Sequence, residues 1–467
     1  MIVNVYNNDT DLNIVFINDN GQTETLIHKL MVSELYNYEI SDRHAGEQKK
    51  TWDGNFIRRT KTKILNKYRI HEILLNLPQN IQEKIFKYNE PKKYFCDIET
   101  EILDEFPDPA KAKAKVVSIS LVNEKNEAIV FTTKPLNQTQ VLKIESELVE
   151  YFSKYNLEIK LQTLNFDTEY EMLFTFFNKY IPKIPLLTGW NFIEFDWTYL
   201  INRAKVLDIK LHKLIDNNII YSNGKDKNII IVDYMDLIKQ FSQNDTGIRE
   251  SFGLDAISEK ILGLNKIKFN GNLNDLYLNH FEKFILYNIV DSVLVKLIHT
   301  ETNMITILFK LAELSKIGIK KAFAKVPLIE NVLLEEFLKQ NKLFVYKDRD
   351  GDSESGGIVG GYVKTPQVGL HKGLAIFDFS SLYPSIMRQW NVSPDTYLGF
   401  EKDLSDDTIK DSIRSANKTV FKKDKGILYQ ILTDIYKRRK EEQKKALDLE
   451  KEINIIEKII NKKKKGN

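Results

Sequence analysis

Between residue 93 and about residue 300, short apolar runs of strand character alternate with helix-length stretches. The strand-like runs are Tyr94 to Ile98, Val116 to Leu121, Ala128 to Phe131 and Ile229 to Val232; the helical ones are Leu142 to Tyr155, Trp197 to Leu207 and Phe281 to Ile298. That order predicts a mixed sheet flanked by helices, an α/β and α+β arrangement. At 467 residues the chain outgrows a single core, so a multidomain fold is expected. A formal net charge of +3 points to no class of partner, but basic residues outnumber acidic ones from Lys425 onward, as on a phosphate-facing surface or a solvated helix face. Cys96 is the single cysteine, which excludes an internal disulfide framework and any cysteine-rich metal site and suits a reducing, cytosolic compartment. No run is long and apolar enough for a bilayer, and the first residues form no basic-then-apolar signal peptide, so no membrane role is expected.

The remaining segments differ in character. To about Glu90 the chain opens with alternating strand-like residues and an Asn20-Gly21 turn, which suits a small sheet with a hairpin. After residue 300 comes an apolar helical region from Met304 to Leu338, then a polar, glycine-rich stretch from Asp348 to Gly357, a natural boundary. A short apolar run, Gly373-Leu374-Ala375-Ile376, reads as a buried strand leading into Phe377-Asp378-Phe379-Ser380-Ser381-Leu382-Tyr383-Pro384-Ser385. From about Leu428 a long charged helix is expected, with Ile431, Ile435, Leu447, Ile453, Ile456 and Ile460 mainly on one side.

Three acidic elements carry the candidate chemistry. In Tyr94-Phe95-Cys96-Asp97-Ile98-Glu99, strand alternation puts Asp97 and Glu99 on one face and Tyr94, Cys96 and Ile98 on the other. Two carboxylates so placed can share a hard cation such as Mg²⁺ or Mn²⁺, although an acidic pair on a strand is more often a solvated face. The segment Thr188-Gly189-Trp190-Asn191-Phe192-Ile193-Glu194-Phe195-Asp196 places Asp196 at a helix start, where its ordinary role is an N-cap. In Tyr287-Asn288-Ile289-Val290-Asp291 the tyrosine and aspartate lie one helical turn apart on the same face.

In this order the three elements resemble the Exo I, Exo II and Exo III motifs of 3′-to-5′ proofreading exonucleases, which share a ribonuclease-H-like fold; the match extends to Glu105-Phe106-Pro107-Asp108-Pro109 and to Asn191 and Phe195. The resemblance implies that Asp97, Glu99, Asp196 and Asp291 bind two metal ions, Mg²⁺ or Mn²⁺. It also implies that Tyr287 orients the attacking water and that Asn191 and Phe195 contact DNA. The stretch Asp378 to Ser385 resembles motif A of family B DNA polymerases, Asp-x-x-Ser-Leu-Tyr-Pro-Ser. By that resemblance Asp378 is a catalytic metal ligand, Ser381 and Leu382 carry the incoming dNTP, and Tyr383 packs under its sugar. Gly360 and Gly361 resemble the family's Tyr-x-Gly-Gly linker along the template, with Ile358 where the tyrosine stands, and Arg439 resembles the fingers arginine that grips the triphosphate. Gln443 stands where the family often has a lysine one turn later.

The resemblance covers nearly the whole chain and is nearest to the polymerases of T-even-type phages. It implies an N-terminal domain (1–92), a ribonuclease-H-like exonuclease domain (93–303), a helical return to the N-terminal domain (304–350), a partial palm (351–425) and the first fingers helix (426–467). The sequence has no Lys-x-x-x-Asn-Ser-x-Tyr-Gly (motif B) and no Asp-Thr-Asp (motif C). The expectation is therefore the N-terminal part of a split replicative DNA-directed DNA polymerase with an intact exonuclease. It would act on primer-template and single-stranded 3′ ends, synthesise only with a second polypeptide carrying motifs B and C, and work in the cytoplasm, that of the host if phage-encoded. A sliding clamp is a partner the resemblance leaves open. A stand-alone exonuclease with a non-catalytic palm remnant, and a non-enzymatic nucleic-acid-binding scaffold, are the alternatives.

Overall fold

The computed structural model describes residues 1–8, 10–101, 107–211, 219–220, 229–241, 251–267, 273–343 and 361–465. They form two compact units, one of Met1–Leu35 with Thr62–Val332 and one of Tyr36–Lys61 with Leu333–Asn467.

The first unit begins with an antiparallel sheet of Ile2–Asn7, Asp11–Ile17 and Thr23–Lys29. The expected hairpin turn is there: the Asn18 side-chain oxygen accepts from the backbone N–H groups of Asn20 and Gln22, and Gly21 takes φ +69°. The main sheet has seven strands in the order Lys160–Asn165, Glu127–Thr132, Val116–Asn123, Lys93–Thr100, Leu186–Gly189, Ile229–Asp233 and Ile219–Ile220. Lys93–Thr100 lies at its centre, antiparallel to Val116–Asn123 and parallel to Leu186–Gly189. Both faces are covered. Phe95, Leu186, Ile230 and Val232 join one core with Ile289, Val290 and Val293 of the helix Phe281–Thr302, whereas Cys96, Ile98, Leu187, Ile229 and Ile231 join another with Tyr199 and Leu200. The alternation expected along Lys93–Thr100 is thus the alternation found, and it turns Asp97 and Glu99 toward the helix Phe281–Thr302.

Close backbone approach fixes one residue of the sheet. A Cβ on Gly189 would stand 2.3 Å from the Cys96 carbonyl oxygen and 2.7 Å from the Phe192 ring, so the strand can end against its neighbour only with glycine there.

In the second unit Tyr36–Ser41 pairs with Phe56–Lys61, and Lys342–Leu343 runs parallel to Lys50–Thr51. A small sheet orders Tyr397–Phe400, Thr419–Lys422 and Ser412–Arg414, and the helix Ile427–Lys465 follows. Buried Asn391, at φ +52°, ties these parts together: its amide donates to the carbonyls of Lys422 and Asp424, and its side-chain oxygen accepts from the Gly426 N–H. Asp395 and Ser393 then accept from the backbone of Ile427 and Leu428, capping the long helix from a separate segment.

The expected buried strand at Gly373 to Ile376 is not formed. A strand requires a neighbour's backbone groups, and among the described residues none pairs with this segment. Its apolar side chains are in the open, Ile376 at 91% and Phe377 at 92% exposure. Leu447, Ile453 and Ile456 of the long helix are likewise exposed. The glycine-rich stretch from Asp348 to Gly357 lies outside the described residues. No helix among the described residues is long and apolar enough to cross a membrane.

Because the space beside Gly189 is bounded by backbone, Gly189→Ala should destabilise the first unit by about 1–3 kcal/mol, the usual cost of overpacking. Urea denaturation followed by circular dichroism measures this directly; an unchanged midpoint would refute the tight approach.

Candidate active site

The strand Lys93–Thr100 delivers Asp97 and Glu99, half-buried, at its carboxyl-terminal end. A register shift between Glu99 and Thr100 breaks the pairing with Val116–Asn123, and such bulges re-aim the side chain beside them. Asp196 arrives from the other side. It sits not at an N-cap but within a π-helical turn, Ile193–Trp197, and its Oδ1 accepts from the backbone N–H of Ile98 at 3.1 Å. The wide turn has identifiable supports: Trp197 N–H donates to Phe192 O, Thr198 Oγ1 donates to Ile193 O, and Asp233 Oδ2 accepts from Ile193 N–H. Asn191 takes φ +54° at the entry to this turn, and its carbonyl accepts from the N–H of half-buried Phe195.

Asp291 and Tyr287 come from the buried helix Phe281–Thr302. Between them on the same helix is Asn288, which donates to Asp97 Oδ2 at 2.7 Å while accepting from Ser118 Oγ at 2.7 Å. The Lys266 ammonium lies 2.5 Å from Asp291 Oδ2 and 3.4 Å from the Tyr287 hydroxyl. Neither Asn288 nor Lys266 is prominent in the sequence. Asn288 lies inside the motif between its two recognisable members, and Lys266 is one of several lysines in its stretch, whose only signal is its place in the folded chain.

The electrostatics follow from this crowding. Burial and the charge of Asp291 push the Asp97 carboxyl up to about 8, against the pull of Lys266 and Asn288. Burial and the neighbouring carboxylates raise Glu99 and Asp196 well above the ordinary range. Burial also raises Asp291, although Lys266 opposes it. Burial and then Asp291 push the Tyr287 hydroxyl up to about 12. Burial works against the charge of Lys266, but Asp291 prevails and holds it protonated.

These residues suit divalent cations. Four oxygen-donor carboxylates converge from three elements, one lysine cannot neutralise them, and the buried Oδ1 of Asp291 has no hydrogen-bond partner. Among the described residues, no three acidic, histidine or cysteine side chains already close around one point as a finished cage. Two of the four are already engaged, Asp291 by Lys266 and Asp97 by Asn288.

The second unit holds the other candidates. Ser381, at φ +54°, starts the helix Leu382–Gln389, and its hydroxyl accepts from Arg439 Nη1 at 3.3 Å, so motif-A-like and fingers-like residues meet. The free N–H groups of such a helix start are suited to phosphate. Asp378, Leu382, Tyr383 and Gly361 are exposed. Gly360 and the pair Glu105-Phe106 lie outside the described residues.

Two family models match the chain: the exonuclease domain of DNA polymerase family B matches residues 36–257, which include Asp97, Glu99 and Asp196 but end before Tyr287 and Asp291, and DNA polymerase family B matches residues 323–465. The chain belongs to DNA polymerase family B. Among its family B relatives, the DNA-directed DNA polymerase of Escherichia phage RB69 is 28% identical over 396 residues, covering 78% of this chain and 43% of that protein. That of Enterobacteria phage T4 is 26% identical over 402 residues, covering 79% and 44%. DNA polymerase 1 of Saccharolobus solfataricus is 27% identical over 340 residues, covering 67% and 36%. The chain thus spans less than half the length of these curated relatives.

Carboxyls with raised folded-state pKa stabilise the fold while protonated, and that contribution is lost as pH rises through the folded value. Metal-free protein should therefore melt at a lower temperature at pH 8.5 than at pH 5.5, through the window set by Asp97 at about 8. Added Mg²⁺ should restore several degrees at the higher pH and little at the lower one. Differential scanning calorimetry with and without chelator measures this; a melting temperature indifferent to Mg²⁺ at pH 8.5 would contradict it.

Proposed function

We propose that this chain carries the 3′-to-5′ proofreading exonuclease of a family B replicative DNA polymerase, together with part of its polymerase site. The observation that carries the reading is the convergence of Asp97, Glu99, Asp196 and Asp291, with Tyr287 one turn from Asp291, at the end of the central strand. The strand order around Lys93–Thr100, with one antiparallel neighbour and one parallel neighbour, supports a ribonuclease-H-like domain over 93–303.

In this reading the four carboxylates hold two Mg²⁺ or Mn²⁺ ions. Bound there, the ions would lower the pKa of a water and stabilise charge on the attacked phosphodiester. The protein's own groups do the positioning. Asn288 fixes the rotamer of Asp97, the Ile98 N–H fixes Asp196, and Lys266 holds Asp291 in place while its ammonium meets the Tyr287 hydroxyl. Tyr287 stays protonated at neutral pH, so its hydroxyl can donate to or accept from the attacking water. In this reading Asn191 and Phe195, beside Asp196, would receive a frayed 3′ end.

In the polymerase portion, Asp378 would be one metal ligand, Ser381, Leu382 and Arg439 would hold the triphosphate, and Tyr383 would exclude a 2′-hydroxyl. Gly360 and Gly361 would lie along the template backbone. The partial palm (351–425) and first fingers helix (426–467) contain one such aspartate, and phosphoryl transfer depends on placing metals and charges with little covalent help. Synthesis would therefore need residues these 467 do not contain, those of motifs B and C. The exposed side chains of Leu374, Ile376 and Phe377 support a surface that those residues would cover. The N-terminal segment (1–92) and the helical return (304–350) would be the supporting body.

The test is a 5′-labelled single-stranded oligonucleotide with the purified chain and Mg²⁺. Stepwise shortening from the 3′ end is expected, falling at least 10³-fold in Asp97→Ala/Glu99→Ala, with no extension of a primed template by added dNTPs. Degradation indifferent to that double substitution would refute the site, and sustained extension would refute the need for motifs B and C.

A further inference from the structure

A second buried charge cluster lies outside the carboxylate site, in the same unit. Arg203 and Glu169 are both almost fully buried and meet as a forked pair, Nε to Oε1 at 2.8 Å and Nη2 to Oε2 at 2.7 Å. Each also holds backbone. Arg203 Nη1 donates to the carbonyls of Ala112 and Lys113, and Glu169 Oε1 accepts from the Val116 N–H at 2.7 Å. Ala112 is completely buried and takes φ +44°, a conformation an alanine adopts only under constraint.

The connections of this cluster matter more than its stability. Arg203 belongs to the helix Thr198–Val206, which continues directly from the π-helical turn bearing Asp196. Asp196, Tyr199 and Arg203 are spaced three and four residues apart and so share one face. Along that face Asp196 accepts from Ile98 N–H, Tyr199 donates its hydroxyl proton to Ala114 O at 2.8 Å, and Arg203 grips Ala112 and Lys113; Asn202 adds a bond to Pro109 O. The other end of the cluster, Val116, pairs with Thr100 at the bulge beside Glu99.

We propose that Arg203 and Glu169 are positioning residues of the exonuclease site: they lock the helix bearing Asp196 to the strand start that sets the bulge aiming Glu99. Two carboxylates from separate elements are thereby kept in register while they repel each other. An apolar pair would fill the same volume, but it could not bind Val116 N–H and the two carbonyls at once. This inference rests on the exonuclease reading. It assigns no contact between Arg203 or Glu169 and the substrate.

The variants are Arg203→Lys, which keeps the charge but loses the fork, and Glu169→Gln, which keeps shape and one acceptor. Both are compared with wild type for Mn²⁺ affinity by titration calorimetry, for kcat and KM on a single-stranded oligonucleotide, and for thermal melting. The expected result for Arg203→Lys is a folded protein whose Mn²⁺ affinity falls at least 5-fold and whose kcat falls at least 10-fold, with KM within 2-fold of wild type. Glu169→Gln should move in the same direction. If both variants stay folded with wild-type Mn²⁺ affinity and kcat, the positioning role is overturned. If either melts early yet keeps wild-type Mn²⁺ affinity and kcat below its transition, the pair is only a structural brace, and the proposal is overturned equally. If wild type binds Mn²⁺ without cutting DNA, the exonuclease reading fails alone, and the Mn²⁺ affinities still decide the positioning role.

Discussion

Mutual repulsion among Asp97, Glu99, Asp196 and Asp291 is the constraint around which the first unit is organised. Like charges in a partly dry site raise one another's pKa, and without cations the group tends either to hold protons or to move apart. The surrounding structure resists both outcomes. The Ile98 N–H holds Asp196, Asn288 holds Asp97, and Lys266 supplies one positive charge to Asp291. What remains is an acidic site with an orphaned oxygen on Asp291, which a hard divalent cation would complete.

The same requirement explains features that otherwise look costly. A π-helical turn, a left-handed Asn191, a glycine pressed against the Cys96 carbonyl and a buried arginine–glutamate pair all lie within the frame that brings the three elements together. Each spends local stability on geometry, which is where proteins tend to concentrate irregular backbone. The second unit shows the reverse situation. Its motif-A-like segment has no strand neighbours among the described residues and stands exposed, while the start of the long helix is firmly braced by Asn391, Ser393 and Asp395.

Much of this was legible in the sequence. Periodicity pointed to the strand bearing Asp97 and Glu99, to their common face and to the long terminal helix, and the Asn20-Gly21 pair marked the turn, because each depends on local alternation or turn chemistry. The acidic site was legible only through resemblance, since each carboxylate by itself has an ordinary surface explanation. The surrounding shell was not legible. Lys266, Ser118, Glu169 and Arg203 reach their partners across 25, 170, 34 and 34 residues, and a single sequence carries no record of such pairings. The expected strand at Gly373 to Ile376 failed for a related reason: strand propensity is expressed only when another strand is present to bond.

The central claim is that these four carboxylates form a two-cation site. Crystals of the protein soaked in Mn²⁺ and measured at the manganese absorption edge would test it most directly. The account predicts two anomalous peaks among Asp97, Glu99, Asp196 and Asp291, absent from Asp97→Ala/Glu99→Ala crystals. Well-ordered crystals whose only manganese peaks lie elsewhere on the protein would contradict it.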